Sequence, residues 1–587
     1  MFGRIIDIKD KILYVENLKK VALTNYIGYH IIFDGAKKIV GEITFVTASD
    51  FQVKLLGEIL NGNFIPGIDV YPLSNTPIRL IYKNELELII GSQEVYAPKT
   101  LLFGKSSIYD GYYNTCSLND FFSNHFAIIG NTGSGKSCGV SRLIQNIFSE
   151  NKKNPTNSHI IIFDVYGEYK SAFSTINSHP GINIKCLCSD GNLTSDNDEI
   201  IKIPLYLLEA DDLALLLNIT DPQLITTLEK TLTYVYIFKS EDKLCEKYKN
   251  DIIAKVFLDI LSSGKPAQQI RDQSLAFLSK YNTENLNLET IIPQMGYNRT
   301  IRQCLNIDPQ GKLLAVELLM ENLKKYSEVS IEKISVRPTE YNLDDLYNAL
   351  EFALISDGSV NNTSVYEKLS ILKTSLHSLI TSENRKFFDY NGYVSRETFV
   401  KNLFTSSNDE NVQIVDVNFN GIDDRLAKTL CKLFAKILYK FSTTIEDRGT
   451  FPINMIIEEA HRYVQSDNDI NVIGYNIFDR IAKEGRKYGI LIGLITQRLA
   501  ELSSTVLSQC SNFIVFRLYY PEDIQMISNI SSNVTFEAIE RVKSLRPGSA
   551  LLFGTAFKVP MITRFEIPNP MPTSTSVDIT GRWYNDN

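Results

Sequence analysis

Between residues 125 and 148 an apolar run, HFAIIG, passes through NTGSGKS into VSRLIQNIF. A strand-sized apolar stretch, a glycine-rich turn and a helix-compatible segment in direct succession commit this part of the chain to a β-loop-α unit of the kind that builds parallel sheets. The spacing Gly-x-x-x-x-Gly-Lys-Ser, from Gly130 to Ser137, is that of a phosphate-binding loop. Its glycines let backbone amides approach a phosphate, and the positive end of the following helix favours the same charge. Asn131, Thr132, Gly133, Ser134, Gly135, Lys136, Ser137 and Cys138 are therefore the candidate nucleotide-binding set. Lys136 is expected to reach the β- and γ-phosphates of ATP, and Ser137 to ligate Mg²⁺.

A chain of 587 residues, 44% hydrophobic and 22% charged, is long enough for several domains with large cores. The longest apolar candidate, YGILIGLIT at 488–496, is strand-sized, so no membrane span is expected. MFGRIIDIKDK lacks the apolar core of a signal peptide, and a cytoplasmic protein is expected. Eight cysteines without a CxxC, Cys186 and Cys188 being the closest pair, read as reduced thiols. The net charge of −8 argues against a surface that coats nucleic acid all over, and leaves room for a local basic lining. Richness in Asn and Ser points to a mesophilic source.

The fold class expected is α/β: a P-loop (RecA-like) ATPase core with an N-terminal β-barrel and a helical insertion. Residues 1–100 alternate with period two in KILYVE, VGEITFVTASDFQVKLLGEI and PIRLIYKNELELII, a small all-β barrel or sandwich. The first part of the core spans 101–204 and contains HFAIIG and HIIIFD. Residues 205–405 follow helical periodicity, in LYLLEADDLALLL, KNDIIAKVFLDILSS and NLDDLYNALEFALI, and are too long for a connection. Strand patterns resume over 406–565 with NVQIVDVNF, FPINMIIEE, GILIGLITQ and SNFIVFRL, and 566–587 is an irregular, Pro-rich tail expected to cross onto a neighbour or to be disordered.

The second half of an ATPase site begins at INMIIEEAHRYV, 453–464. An apolar strand closed by two acids has the Walker B arrangement, with Glu458 beside Mg²⁺ and Glu459 placed to polarise the attacking water. In FDRIAKEGRKYGILIGLITQRLAEL, 478–502, Arg486 precedes a core strand and is the best candidate for the positive charge that phosphoryl transfer needs, in cis or in trans, with Arg480 and Lys483 behind it. A basic helix end complementing its own dipole is the other reading. Gln497 ends the strand, where an amide can sense the γ-phosphate or orient water; a plain polar strand end is the alternative. The catalytic candidates are thus Lys136, Glu459, Arg486 and Gln497, and the metal candidates Ser137 and Glu458. Candidate DNA-lining segments are QSDNDINV at 465–472 and the surroundings of Arg480 and Arg498.

GNTGSGKS, FDVYGEY at 163–169, IIEEAH, KEGRKYGI, ITQR and GSALLFG at 548–554 together make the chain resemble the HerA branch of the HerA/FtsK ring ATPases. The resemblance covers the N-terminal third and the C-terminal quarter, with a looser match through the helical middle. It implies a HerA-type barrel at the N-terminus, homohexamers with nucleotide sites between subunits, and translocation on double-stranded DNA. It also implies a partner, a nuclease or a sirtuin-type NADase effector, in bacterial anti-phage defence or in DNA end processing. Asp164 is expected near the P-loop, with Glu168 and Tyr169 following it in a catalytic role or in a structural turn. A ring scaffold that controls an effector by its nucleotide state is the alternative function. A membrane-anchored DNA pump is disfavoured by the lack of an apolar anchor.

Overall fold

A computed structural model describes residues 3–9, 12–18, 26–47, 49–189, 198–241, 243–327, 339–356, 363–466, 469–530 and 534–573, with Ile579 and Trp583. The chain forms two compact units, one of residues 1–201, 397–467 and 475–587, the other of 202–396 and 468–474.

In the first unit the period-two segments form seven antiparallel strands, β1 (Arg4–Lys9), β2 (Ile12–Glu16), β3 (His30–Asp34), β4 (Lys38–Val46), β5 (Asp50–Leu60), β6 (Asn63–Pro66) and β7 (Ile78–Leu80). The second half of PIRLIYKNELELII departs from that reading: KNELELII is a helix, Lys83–Ile90, because Leu86, Ile89 and Ile90 fall on one buried helical face. Their order is β1-β2-β5-β4-β3-β7, with β6 added to β5. Ile5 of β1 and Ile78 of β7 share one core with Val15, Phe33, Ile43 and Phe51, so the sheet curls over its own apolar face. A closed barrel is only partly realised: β1 and β7 do not pair with each other among the described residues, and the sheet keeps two edges.

The same unit holds the large mixed sheet that carries the P-loop. Its strands are β8 (Thr100–Ser106), β9 (Tyr113–Ser117), β10 (His125–Ile129), β11 (His159–Asp164), β12 (Ile184–Cys188) and β13 (Asp198–Ile200) from before the helical segment. A short pair, β14 (Ile291–Ile292) and β15 (Arg299–Thr300), lies inside that segment. After it come β16 (Ile414–Asn418), β17 (Ile453–Ile457), β18 (Ile490–Thr496), β19 (Cys510–Phe516), β20 (Ser549–Gly554) and β21 (Met561–Arg564). The order is β13-β12-β16-β11-β17-β18-β10-β19-β20-β21-β8-β9, parallel as far as β19 and antiparallel beyond it. The central strands HFAII, HIIIFD and ILIGLIT are buried on both faces, which explains their unbroken apolar runs. The Phe126 ring packs against Gly493, where an added Cβ would meet its Cζ at 2.3 Å. One face is covered by the helix Asp424–Thr444, whose buried stripe includes Leu426, Leu430, Phe434 and Leu438 and whose N-terminus is capped by Asp423.

The tail does not leave its own chain at 566. Glu566 pairs with Arg142 at 2.5 Å, and Gln145 accepts from Asn569 N at 3.0 Å while donating to Pro570 O at 3.0 Å and Ala172 O at 2.8 Å. Thr573 N donates to Glu168 O at 3.0 Å. Residues 574–578, 580–582 and 584–587 lie outside the described set.

The second unit is helical, with Gln223–Lys239, Lys243–Leu261, Ala267–Lys280, Leu343–Ser356 and Thr363–Thr381 as its longer helices. It has a core of its own: the Phe352 ring meets Tyr234, Phe238 and Tyr281 at 5.0 Å between centroids and Phe277 at 6.0 Å. An insertion that buries its own aromatic cluster folds as a unit rather than as a loop. Residues 397–405, given to the insertion by helical pattern, group with the sheet unit, and 468–474 group with the helices. Within the segment 465–472 named as a DNA-lining candidate, Asp467 and Asn468 fall outside the described residues, and Asp469–Ile473 is a short helix with no buried side chain.

Candidate nucleotide site

Four neighbouring strands, β11, β17, β18 and β10, end at one edge of the sheet, and the site is assembled from the segments that leave their C-terminal ends. After β10 the loop closes on itself and on its neighbours: Gly130 N donates to Thr496 O at 3.2 Å, Ser134 N to Asn131 O at 3.1 Å, and Gly548 N to Ser134 O at 2.9 Å. Gly133 and Gly135 have φ of 73° and 94°, and a Cβ on Gly135 would sit 2.6 Å from Gly548 N. Side chains are excluded there because the loop lies against the backbone that enters β20. The helix Lys136–Ile147 follows with Gly135 at its N-cap and no side-chain cap, which leaves its first-turn amides for an anion. Ser134 is fully buried and its Oγ has no hydrogen-bond partner among the described residues.

Lys136, 7% exposed, extends from the helix to Glu459, its Nζ 3.4 Å from Oε1. Glu459 is held in the left-handed region at φ 44°, ψ 45°. Of the non-glycine residues with positive φ among those described, the others are Asn or Asp, which adopt this region more readily. A glutamate there carries backbone strain of about 1–2 kcal/mol that the surrounding contacts must hold. Glu458, 1% exposed, turns the other way: its Oε1 accepts from Tyr169 Oη at 3.3 Å, and its carboxyl bonds that of Asp164. Burial, then the Asp164 charge, push Glu458 well above the usual carboxylate range.

Asp164 accepts from the amides of Tyr166, Gly167 and Tyr169 at 3.1, 2.8 and 2.9 Å, so it holds the YGEY turn and also abuts Glu458. Glu168, on that turn, bonds the Ser137 hydroxyl, and burial raises it. At the end of β18, Gln497 Oε1 accepts from Thr132 Oγ1 at 2.7 Å, which links the strand end directly to the P-loop. His461 places Nδ1 3.2 Å from Thr496 Oγ1 and 3.2 Å from Glu459 Oε2.

Lys136, Ser137, Glu458, Glu459, Gln497 and the loop residues Asn131 to Cys138 therefore lie on one edge. Arg486 does not join them. It is exposed, in the turn Gly485–Tyr488 before β18 begins, beside His125 at the start of β10. Seven residues of β18 at ~3.3 Å each put it roughly 20 Å from the P-loop edge of its own sheet. Arg480 stacks on Tyr439 at 5.3 Å and Tyr475 at 5.9 Å, Lys483 is exposed, and Arg498 pairs with Glu501 at 2.7 Å. The Glu168–Ser137 bond and His461 were not assigned a role from sequence. Both sit inside recognised stretches, FDVYGEY and IIEEAH, but only the chain path brings them to the site.

An oxygen-rich set of Ser137, Glu168, Glu458 and Asp164, facing one lysine, suits a small hard cation such as Mg²⁺. Glu458 Oε2 is buried and receives no N–H or O–H donor among the described residues, which suits a ligand position shared with the adjoining Asp164. A P-loop on a parallel sheet with two acids, a lysine and a strand-end glutamine at its edge defines an ATP-hydrolysing P-loop enzyme.

Residues 115–438 match the family model described as helicase HerA, central domain. That is over half of the chain, and the chain belongs to the helicase HerA family. It is similar to a probable DNA double-strand break repair helicase HerA of Methanocaldococcus jannaschii, 24% identical over 581 residues that cover 97% of this chain and 95% of that protein. It is also similar to the DNA double-strand break repair helicase HerA of Sulfolobus acidocaldarius, 24% identical over 91% of this chain and 81% of that one. Among solved structures, VirB4 of Thermoanaerobacter pseudethanolicus aligns with a TM-score of 0.43 and 12% identity over 79% of this chain and 96% of that chain. No helix among the described residues is long and apolar enough to cross a membrane.

Proposed function

We propose that the chain is a subunit of a homohexameric ring that hydrolyses ATP to move along double-stranded DNA. The observation that carries the hydrolytic part is the placement of Glu459 against Lys136 at the P-loop, with Gln497 bonded to Thr132 beside them. Lys136 leaves Glu459 for the phosphates when ATP enters, and Glu459 is then free to accept a proton from the attacking water. Ser137 and Glu458 would hold Mg²⁺, with Glu168 close by; the ion supplies charge neutralisation across the phosphates. Gln497 orients the water or reports on the γ-phosphate. Arg486 lies too far from its own P-loop to serve it, so its guanidinium acts on the site of a neighbouring subunit.

The DNA substrate follows from family membership and from the relatives named as DNA repair helicases. We place the ring with a nuclease or a sirtuin-type NADase partner in bacterial anti-phage defence; DNA end processing in repair is the other setting. A scaffold whose nucleotide state gates an effector is the second reading, favoured by the net charge of −8 and the acidic segment 465–472.

The test is ATPase rate with and without duplexes of unrelated sequence, from low to physiological salt, for the chain and for Glu459→Gln. A translocase is stimulated by every duplex, and the stimulation falls steeply with salt as bound counterions are released. Glu459→Gln binds ATP and does not turn it over. Hydrolysis indifferent to DNA at all salt concentrations would favour the scaffold.

A further inference from the structure

The carboxylate of Glu459 has two ends in different hands. Oε1 is paired with Lys136 at 3.4 Å; Oε2 is buried, lacks a well-formed hydrogen bond among the described residues, and lies 3.2 Å from His461 Nδ1. That nitrogen is aligned instead with Thr496 Oγ1, at 3.2 Å, and the same Oγ1 accepts from Arg498 N at 3.0 Å. His461 is 8% exposed, and burial lowers its affinity for a proton, so the ring is neutral at neutral pH and carries one hydrogen. With a carboxylate oxygen 3.2 Å from Nδ1 that can only accept, the hydrogen belongs on Nδ1.

We infer that His461 is the positioning residue that holds Glu459 once Lys136 has turned to the phosphates, by donating from Nδ1 to Oε2. Three features carry this. Glu459 sits in a strained left-handed conformation, so some group must fix it when the lysine leaves. Oε2 is already within reach of Nδ1, so a change in alignment rather than a displacement makes the bond. The alternative partner of Nδ1, Thr496, precedes Gln497, whose amide is bonded to P-loop Thr132. Occupancy of the loop and release of His461 from Thr496 to Glu459 are thereby connected through one strand end. His461 touches no reacting atom. It acts through Glu459, and the inference rests on Glu459 being the group that activates water.

Asparagine and glutamine separate positioning from mere packing. The side-chain amide of Asn falls where Nδ1 lies, and that of Gln falls where Nε2 lies. His461→Ala should lower kcat tenfold or more with KM for ATP within about twofold, since the lost contact matters after binding. His461→Asn should recover most of kcat, and His461→Gln should resemble His461→Ala. Thermal unfolding of each variant, with ATP affinity measured separately, establishes that the site is intact. Equal rates for the Asn and Gln variants, or a kcat for His461→Ala near wild type, would overturn the inference. Glu459→Gln assayed alongside keeps the two levels apart. If it still hydrolyses ATP, the role of Glu459 is wrong. If it is inactive while His461→Ala is unimpaired, only the role of His461 fails.

Discussion

His125 shows how one side chain at the foot of the sheet bears on stability. It opens β10, is 3% exposed, and its Nδ1 accepts from Ile492 N at 2.9 Å across the β10–β18 pair. Burial, with the Arg486 charge adding to it, pushes His125 down to about 4 from an ordinary 6.5. Between those values an unfolded chain takes up a proton at this position and the folded chain does not, so falling pH favours unfolding over that window and has no further effect below about 4. An Asn at 125 offers an acceptor in the place of Nδ1 and cannot titrate. The stability of the wild type relative to His125→Asn should therefore fall as pH drops from 6.5 to 4, by up to about 3 kcal/mol for a shift of this size. Denaturant titrations of both proteins at several pH values measure it. A difference that stays constant with pH would show that His125 is not buried neutral.

At the scale of elements, Gln145 joins the P-loop helix to the YGEY turn segment and to the tail. Gln145→Ala removes all three bonds and leaves two carbonyls and an amide to find other partners. The expected cost is roughly 2–4 kcal/mol, with faster proteolysis of residues 566–573; an unchanged melting temperature and cleavage rate would contradict the arrangement. Sequence alone left this tail as irregular chain, because Arg142 and Gln145, which hold it, lie more than 400 residues away and belong to no local pattern. The strands around the P-loop were legible because they are buried on both faces and read as unbroken Ile, Phe and Leu runs. Curling without closure was not, since alternation reports which side of a strand is buried and says nothing of whether β1 meets β7. Local spacing likewise placed Glu458 and Glu459 together at a strand end. That they point to different partners, Tyr169 with Asp164 for one and Lys136 for the other, depends on the left-handed backbone of Glu459, which no residue type announces.

For the whole molecule, the decisive relation is between the two edges of the sheet. Lys136, Glu459 and Gln497 occupy one edge, and Arg486 stands exposed at the other, so a single chain cannot bring its own arginine to its own phosphates without unfolding β18. A ring in which one subunit's Arg486 faces the next subunit's P-loop resolves this, and makes every active site a shared one. The direct measurement is subunit mixing. Arg486→Ala retains Glu459 and lacks the arginine; Glu459→Gln retains the arginine and lacks the acid. Each alone should be nearly inactive while assembling normally by light scattering. Mixed and allowed to exchange, they should hydrolyse ATP faster than either parent, with a maximum at intermediate ratios, because some junctions then pair an intact Glu459 with an intact Arg486. Mixtures no more active than the two parents, with exchange of subunits confirmed, would contradict a site completed by the neighbour.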